Sequence, residues 1–249
     1  MSLRVLSYNI RLGGLNREKP IAAVINACEP DVVILQEASR PDVVERLASS
    51  CGMKAWGSVR GHSVGYLSRI EVAHHAWHKA PLAKRRYLEL IVARSRARVF
   101  GVHLAAVHSN MMERRRMYEV KALLAGMAQR QDGFHMVTGD FNTGAPGEKL
   151  DLAKLPFRLR MFAYLTGGKL RWTTIQLMLD GGYTDAYREF DKEGDGFTFP
   201  TWDPHVRLDY MFVPKAFASG LIRCQIMKDL PGVREASDHF PLLSEVAEE

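Results

Sequence analysis

The sequence predicts an α/β fold in which two largely antiparallel sheets are covered on their outer faces by helices. Three observations lead there: a β-α-β opening, a run of short β-branched segments through the first half, and a return to strand patterning at the end. No linker composition and no fixed-period repeat interrupts the 249 residues, so one domain over 1–249 is expected. Hydrophobic residues at 47% and charged residues at 25% match ordinary folded domains and exclude disorder and collagen-like repeats.

Residues 4–10 and 31–35 are short, apolar and β-branched-rich, and residues 19–28 between them read as a helix. A second helical stretch covers 41–51. Residues 63–67, 71–78, 87–93 and 98–107 then follow with the spacing and turn residues of antiparallel strands. The clearest helix spans 111–131, with Asn110 as candidate N-cap, Glu113 three residues on, and Met117, Val120, Leu124 and Met127 at helical spacing. A buried strand over 134–138 comes next. Residues 144–182 mix Gly, Pro and short helical pieces and read as an elaborated loop. Within it, 155–165 combine apolar residues with Arg158 and Arg160, a pattern of ordinary packing or substrate-side elaboration. Residues 207–213, 221–227 and 239–246 read as strand again.

Cys28, Cys51 and Cys224 are too few for a disulfide framework and form no CxxC pair, which fits a reducing compartment. No apolar run approaches the roughly 18–20 residues of a membrane span. The N-terminus enters a strand without a signal-peptide core, so no stable membrane insertion and a cytoplasmic location are expected. A net charge of +6 favours phosphate-bearing partners as much as it favours plain solubility.

Chemistry gathers at strand ends. Asn9 follows Val5-Leu6-Ser7-Tyr8, Glu37 follows Val32-Val33-Ile34-Leu35-Gln36, and His103 closes Phe100-Gly101-Val102. Asp140 and Asn142 follow Met136-Val137-Thr138-Gly139, Asp209 lies in Arg207-Leu208-Asp209-Tyr210, and Asp238-His239 stands near the C-terminus. Singly, an acid at a strand end is a turn or capping residue, and a histidine is a satisfied core residue. Together, carboxylates and carboxamides supply hard donors suited to Mg²⁺ or Mn²⁺, and two histidines can carry protons or bind phosphate oxygens. Brought to one sheet edge, such a set suits metal-assisted attack of water on a phosphate ester.

The order Ser-Tyr-Asn-Ile, Leu-Gln-Glu, Gly-Val-His-Leu, Gly-Asp-Phe-Asn, Arg-Leu-Asp-Tyr and Ser-Asp-His-Phe-Pro resembles the endonuclease/exonuclease/phosphatase superfamily from Asn9 to Pro241. The resemblance implies a four-layered sandwich like that of deoxyribonuclease I, a hydrolase acting on phosphate esters, and a Mg²⁺ cofactor that Mn²⁺ can replace. It implies Glu37 as principal metal ligand, Asn9 as a metal or phosphate contact, and Asp238 as a further metal-side acid. Asp140 would align or deprotonate the attacking water, Asn142 would bond the scissile phosphate, and His239, paired with Asp209, would polarise the phosphate or exchange a proton. His103 would donate to a phosphate oxygen. Gln36 would brace Glu37, while His62 and His108 occupy loops, Arg114-Arg115-Arg116 reads as a solvated helix face, and Trp202 and His205 are candidates for the mouth of the site.

The substrate is less constrained. Gln36-Glu37-Ala38-Ser39 and Val102-His103-Leu104 depart from the Gln-Glu-Thr-Lys and Tyr-x-Pro-Asn segments of exonuclease III-type apurinic-site enzymes, which disfavours a base-excision role. A phosphodiesterase is expected, with endonuclease action on DNA or RNA as the leading form and a monomer as the expected state. The alternatives are a sphingomyelinase-like enzyme of lipid headgroups, a hydrolase of inositol or metabolite phosphates, and a non-catalytic phosphate-binding module.

Overall fold

The computed structural model describes residues 1–79, 85–106, 110–128, 133–148, 160–161 and 172–248. In β1 (Ser2–Asn9), Leu3 and Val5 join one apolar cluster while Leu6 and Tyr8 join another. β2 (Val32–Gln36) divides the same way, Val32 and Ile34 against Val33 and Leu35. A period of two with both faces buried is what a strand inside a layered sandwich requires.

β1 and β2 form the first sheet with β3 (Ala55–Gly57), β4 (Val64–Ser68), β11 (Leu221–Ile226) and β12 (Leu242–Ala247), in the order β11-β12-β1-β2-β4-β3. The second sheet runs β5-β6-β7-β8-β10-β9, from β5 (Val72–Lys79), β6 (Arg86–Val92), β7 (Arg98–His103), β8 (His135–Asp140), β9 (Tyr183–Asp185) and β10 (Asp209–Pro214). The β1–β2 and β7–β8 pairs are parallel, and the other neighbouring pairs are antiparallel.

Helices α1 (Glu18–Cys28) and α2 (Pro41–Ser50) bury Ile21, Val24, Val43 and Leu47 against the outer face of the first sheet. α3 (Asn110–Ala128) and α4 (Thr173–Asp180) bury Val120, Leu123, Ile175 and Met178 against the second. Leu3, Val5, Val64, Leu88, Val99 and Met211 fill the space between the sheets. The result is the helix-sheet-sheet-helix sandwich that the resemblance implies. Two further short helices are α5 (Ala186–Phe190) and α6 (Val233–Ala236), and 3-10 turns cover Leu12–Gly14 and Lys215–Gly220. No helix of the described residues is long and apolar enough to cross a membrane.

The expected antiparallel run over 63–107 is split. Residues 64–68 pair with β2 and β3 in the first sheet, and the second sheet starts at β5. Local alternation reports which face of a strand is buried and not which strand lies beside it. β7 and β8 are parallel because α3 carries the chain back between them as a crossover. The reading of Arg114-Arg115-Arg116 as a solvated face fails at Arg116, which is buried with both Nε and Nη2 on Glu113 Oε2 at 3.0 and 2.9 Å. His108 and Arg158 lie outside the described residues, as does most of 144–182.

Registers place the chemistry. In the parallel pairs Asn9 stands beside Gln36 and His103 beside Asp140, and antiparallel β10 sets Asp209 across from Asp140. Four carboxyl-terminal strand ends, two from each sheet, therefore meet at one edge of the sandwich, where open α/β sheets bind ligands.

Candidate active site

A cleft of about 1010 Å³ opens at that edge, and Glu37, His103, Asp140, Asn142, Asp238 and His239 line it. Asn9 and Asp209 are buried just behind. All eight residues expected from the sequence therefore converge.

Asp140 is the hub. Its Oδ2 accepts Asn9 Nδ2 at 3.0 Å and its Oδ1 accepts the Asn142 N–H at 2.8 Å. His103 Nε2 lies 3.6 Å and His239 Nε2 4.0 Å from Oδ2. Burial raises the Asp140 carboxyl to about 7; the His239 charge pulls it down, Asp209 pushes it up, and the two hydrogen bonds lower it. Asn142 turns its own Nδ2 to the Leu104 carbonyl at 3.1 Å.

His239 Nδ1 meets Asp209 Oδ2 at 2.8 Å. Burial alone would lower this imidazole, but the Asp209 carboxylate, with Asp140 and Asp238 beyond it, outweighs burial and holds its pKa up to about 10. His103 goes the other way: burial, Arg85 and His239 drive it well below its usual value. Its Nδ1 partner is the Ser63 hydroxyl.

A short loop after β1 organises the opposite wall. Arg11 and Leu12 adopt left-handed backbone (φ 49 and 50), as does Glu37 (φ 57), a conformation that costs non-glycine residues roughly 1–2 kcal/mol each. The cost is offset by hydrogen bonds: Arg11 N–H donates to Asn9 Oδ1 at 2.9 Å and Leu12 N–H to Glu37 Oε2 at 2.5 Å. Arg11 Nε also pairs with Asp238 Oδ2 at 3.3 Å, so one loop gathers Asn9, Glu37 and Asp238. Asn9 approaches Glu37 through its amide nitrogen at 3.5 Å and thus supports the carboxylate from behind.

Glu37 and Asp238 offer hard carboxylate oxygens to the cleft, and the three cysteines are buried elsewhere, a donor set that fits Mg²⁺ or Mn²⁺ and not a soft metal. Among the described residues, ligand atoms of Asp140, Asp209 and His239 also lie within 4.8 Å of one another. His239 Nδ1 is already committed to Asp209 there, and its positive charge answers the same electrostatic demand that a cation would.

Gln36 is fully buried and its Nε2 donates to Ser7 Oγ at 3.1 Å and to the Ile34 carbonyl at 3.2 Å, so its side chain ties β2 to β1 next to Glu37 and does not bond that carboxylate. Trp202 (61% exposed), His205 and His62 line the cleft. Ser63 and Arg85 also line it, and Arg11 stands beside it on Asp238; none of the three was expected from the sequence. Arg85 Nη1 donates to the His103 carbonyl at 3.1 Å, and the residue is part of the cleft lining. Its position beside Arg86, before a strand, gives it the local pattern of a solvated charge.

Residues 6–239 match the model of the Endonuclease/Exonuclease/phosphatase family. Similar solved structures include a 3'-5' exonuclease from Neisseria meningitidis, with 19% identity, coverage of 98% of this chain and 99% of that one, and a TM-score of 0.74. An AP endonuclease from Archaeoglobus fulgidus matches with 16% identity, coverage of 97% and 98%, and a TM-score of 0.73. TDP2 from D. rerio, complexed with a single-strand DNA product, matches with 18% identity, coverage of 99% of both chains, and a TM-score of 0.69. No curated protein matches the sequence. The match over nearly the whole chain, on a fold shared with these proteins, places the chain in the Endonuclease/Exonuclease/phosphatase family.

Proposed function

We propose that the chain is a Mg²⁺-dependent phosphodiesterase acting on nucleic acid. The observation that carries this reading is the convergence of Glu37, Asp140, the His239–Asp209 pair and His103 on one cleft. Glu37 and Asp238 would hold Mg²⁺, oriented by Asn9 and the loop at Arg11 and Leu12. When bound by these carboxylates, such a cation would supply charge neutralisation to the phosphoryl group.

Asp140 takes the proton of the attacking water as its oxygen bonds to phosphorus, and the bond to the leaving oxygen breaks on the opposite side. A raised carboxyl pKa suits a base working near neutrality. His239 Nε2 is only 4.0 Å from Asp140 Oδ2, too near the base to reach the far side of an in-line displacement. It is therefore assigned to a non-bridging phosphate oxygen, where the imidazolium stabilises charge that grows in the transition state. His103 and Asn142 donate to the remaining oxygens.

Nucleic acid is favoured by the rim. Trp202 is exposed beside the Arg11 guanidinium, 5.9 Å from its ring centroid, and Lys79, Arg85 and Arg86 line the cleft. An exposed indole next to cations can stack a base while the backbone runs along positive charge. The DNA product bound by the D. rerio neighbour accords with this substrate class.

The test is incubation with supercoiled plasmid, single-stranded oligonucleotide and bis-p-nitrophenyl phosphate, with Mg²⁺ or EDTA, alongside Asp140→Asn and Glu37→Ala. Mg²⁺-dependent cleavage of a nucleic acid that both variants lose is the expected result. Turnover of the small diester alone would move the substrate to lipid or metabolite phosphates, and no turnover with any metal would overturn the enzyme.

A further inference from the structure

The two histidines beside Asp140, His103 and His239, present Nε2 to the same carboxylate oxygen but have different groups behind them. His239 Nδ1 is held by a carboxylate, Asp209, at 2.8 Å. His103 Nδ1 is held by a hydroxyl, that of Ser63. A carboxylate only accepts, so it fixes a proton on the nitrogen facing it; a hydroxyl can donate or accept, and the far side of the ring decides which. On that far side His103 Nε2 faces Asp140 Oδ2 at 3.6 Å. A lone pair on Nε2 would oppose the carboxylate oxygen, whereas an Nε2–H is attracted to it.

We propose that Ser63 is a positioning residue that sets the tautomer of His103: its hydroxyl donates to Nδ1, so that the single ring proton sits on Nε2 and points into the cleft. The remaining groups facing this ring agree with one proton and not two. Arg85, whose Nη1 donates to the His103 carbonyl, and the His239 imidazolium both repel a second positive charge, and burial does the same. His103 is thus a neutral donor beside a cationic one, a division of labour created by a serine on one ring and an aspartate on the other.

The fold holds Ser63 in place. It directly precedes β4, whose register sets Val64 beside Gln36, and its carbonyl accepts the Ala38 N–H at 3.1 Å, one residue beyond Glu37. Its hydroxyl therefore reaches from the first sheet to a histidine on the second. The tautomer itself is a property of the resting protein; only the use of Nε2–H on a phosphate oxygen rests on the proposed function.

The experiment is ¹⁵N NMR of histidine-labelled protein, in which the two ring nitrogens of each tautomer resonate far apart. In the wild type, His103 is expected to show a protonated Nε2 and an acceptor Nδ1. Ser63→Ala is expected to mix the tautomers and to lower kcat about tenfold at unchanged KM, the scale of one lost hydrogen bond. Ser63→Thr, which keeps the hydroxyl, is expected to restore both. An Nδ1–H tautomer in the wild type, or unchanged His103 resonances in folded Ser63→Ala, overturns the proposal. If the tautomer shifts as described while no phosphoester is cleaved, the proposed function fails and the role of Ser63 stands.

Discussion

Asn9 Nδ2 donates to Asp140 Oδ2 at 3.0 Å, a hydrogen bond that crosses from the carboxyl end of β1 in the first sheet to the carboxyl end of β8 in the second. It favours the ionised carboxylate and so opposes the burial that pushes the Asp140 pKa up. Removing the donor must then raise that pKa further. Asn9→Ala is expected to move the acid limb of kcat/KM toward alkaline pH by about one unit, the worth of one charge-assisted hydrogen bond. A pH profile on bis-p-nitrophenyl phosphate reads this, and an unmoved acid limb would separate Asp140 from the proton-accepting step.

The alkaline limb belongs to His239. Its imidazolium survives burial because Asp209 lies beside it. A raised pKa means that the charged form is present below the folded value and lost as pH rises through it. Asp209→Asn removes the carboxylate and leaves burial unopposed, so the pKa falls and the alkaline limb shifts to lower pH by more than one unit. At neutral pH, kcat is expected to drop about 10²- to 10³-fold, the range that one preorganised donor to transition-state charge supplies. Chemical-shift titration of His239 in the same variant provides the independent reading.

Much of this site could be read from the sequence because its residues stand at the ends of apolar runs. Asn9, Glu37, His103 and Asp140 each close a strand or follow one directly, and a parallel register brings such ends together. What could not be read depends on partners far along the chain. That residues 64–68 belong to the first sheet is decided by β2, more than two dozen positions earlier. Ser63 has no local signature, since its role exists only through His103 on the other sheet. Arg116 looks like its two arginine neighbours until the Glu113 carboxylate and the Ala105 carbonyl, which takes Nη1 at 2.8 Å, draw it inside.

That buried pair is expected to matter to stability through its asymmetry. Glu113 also accepts Thr143 Oγ1 at 2.8 Å and the Thr174 N–H at 2.7 Å, so it binds α3 to the segment after Asn142 and to α4. Arg116→Met leaves that carboxylate buried without its cation, a loss of about 3–5 kcal/mol. Urea denaturation should show a lower midpoint at unchanged slope. A variant as stable as the wild type would mean that the Thr143 hydroxyl and the Thr174 N–H suffice for Glu113.

Gly139 tests whether the juxtaposition of His103 and Asp140 depends on backbone contact. It precedes Asp140 with φ +147, and a Cβ there would lie 1.9 Å from the Val102 carbonyl oxygen, directly across the β7–β8 ladder. The obstructing atom is backbone, so no rotamer relieves it. Gly139→Ala must separate the two strands next to the pair they present, and both stability and turnover are expected to fall, the former by about 3 kcal/mol or more. Gly182→Ala is the control. It also has positive φ (+85), but nothing lies within 4 Å of its Cβ, so it carries only the conformational strain of about 1–2 kcal/mol with activity intact. Equal effects of the two substitutions on thermal unfolding would assign the cost to φ alone, and a larger loss at Gly139 accompanied by lower kcat assigns it to the displaced ladder that holds His103 beside Asp140.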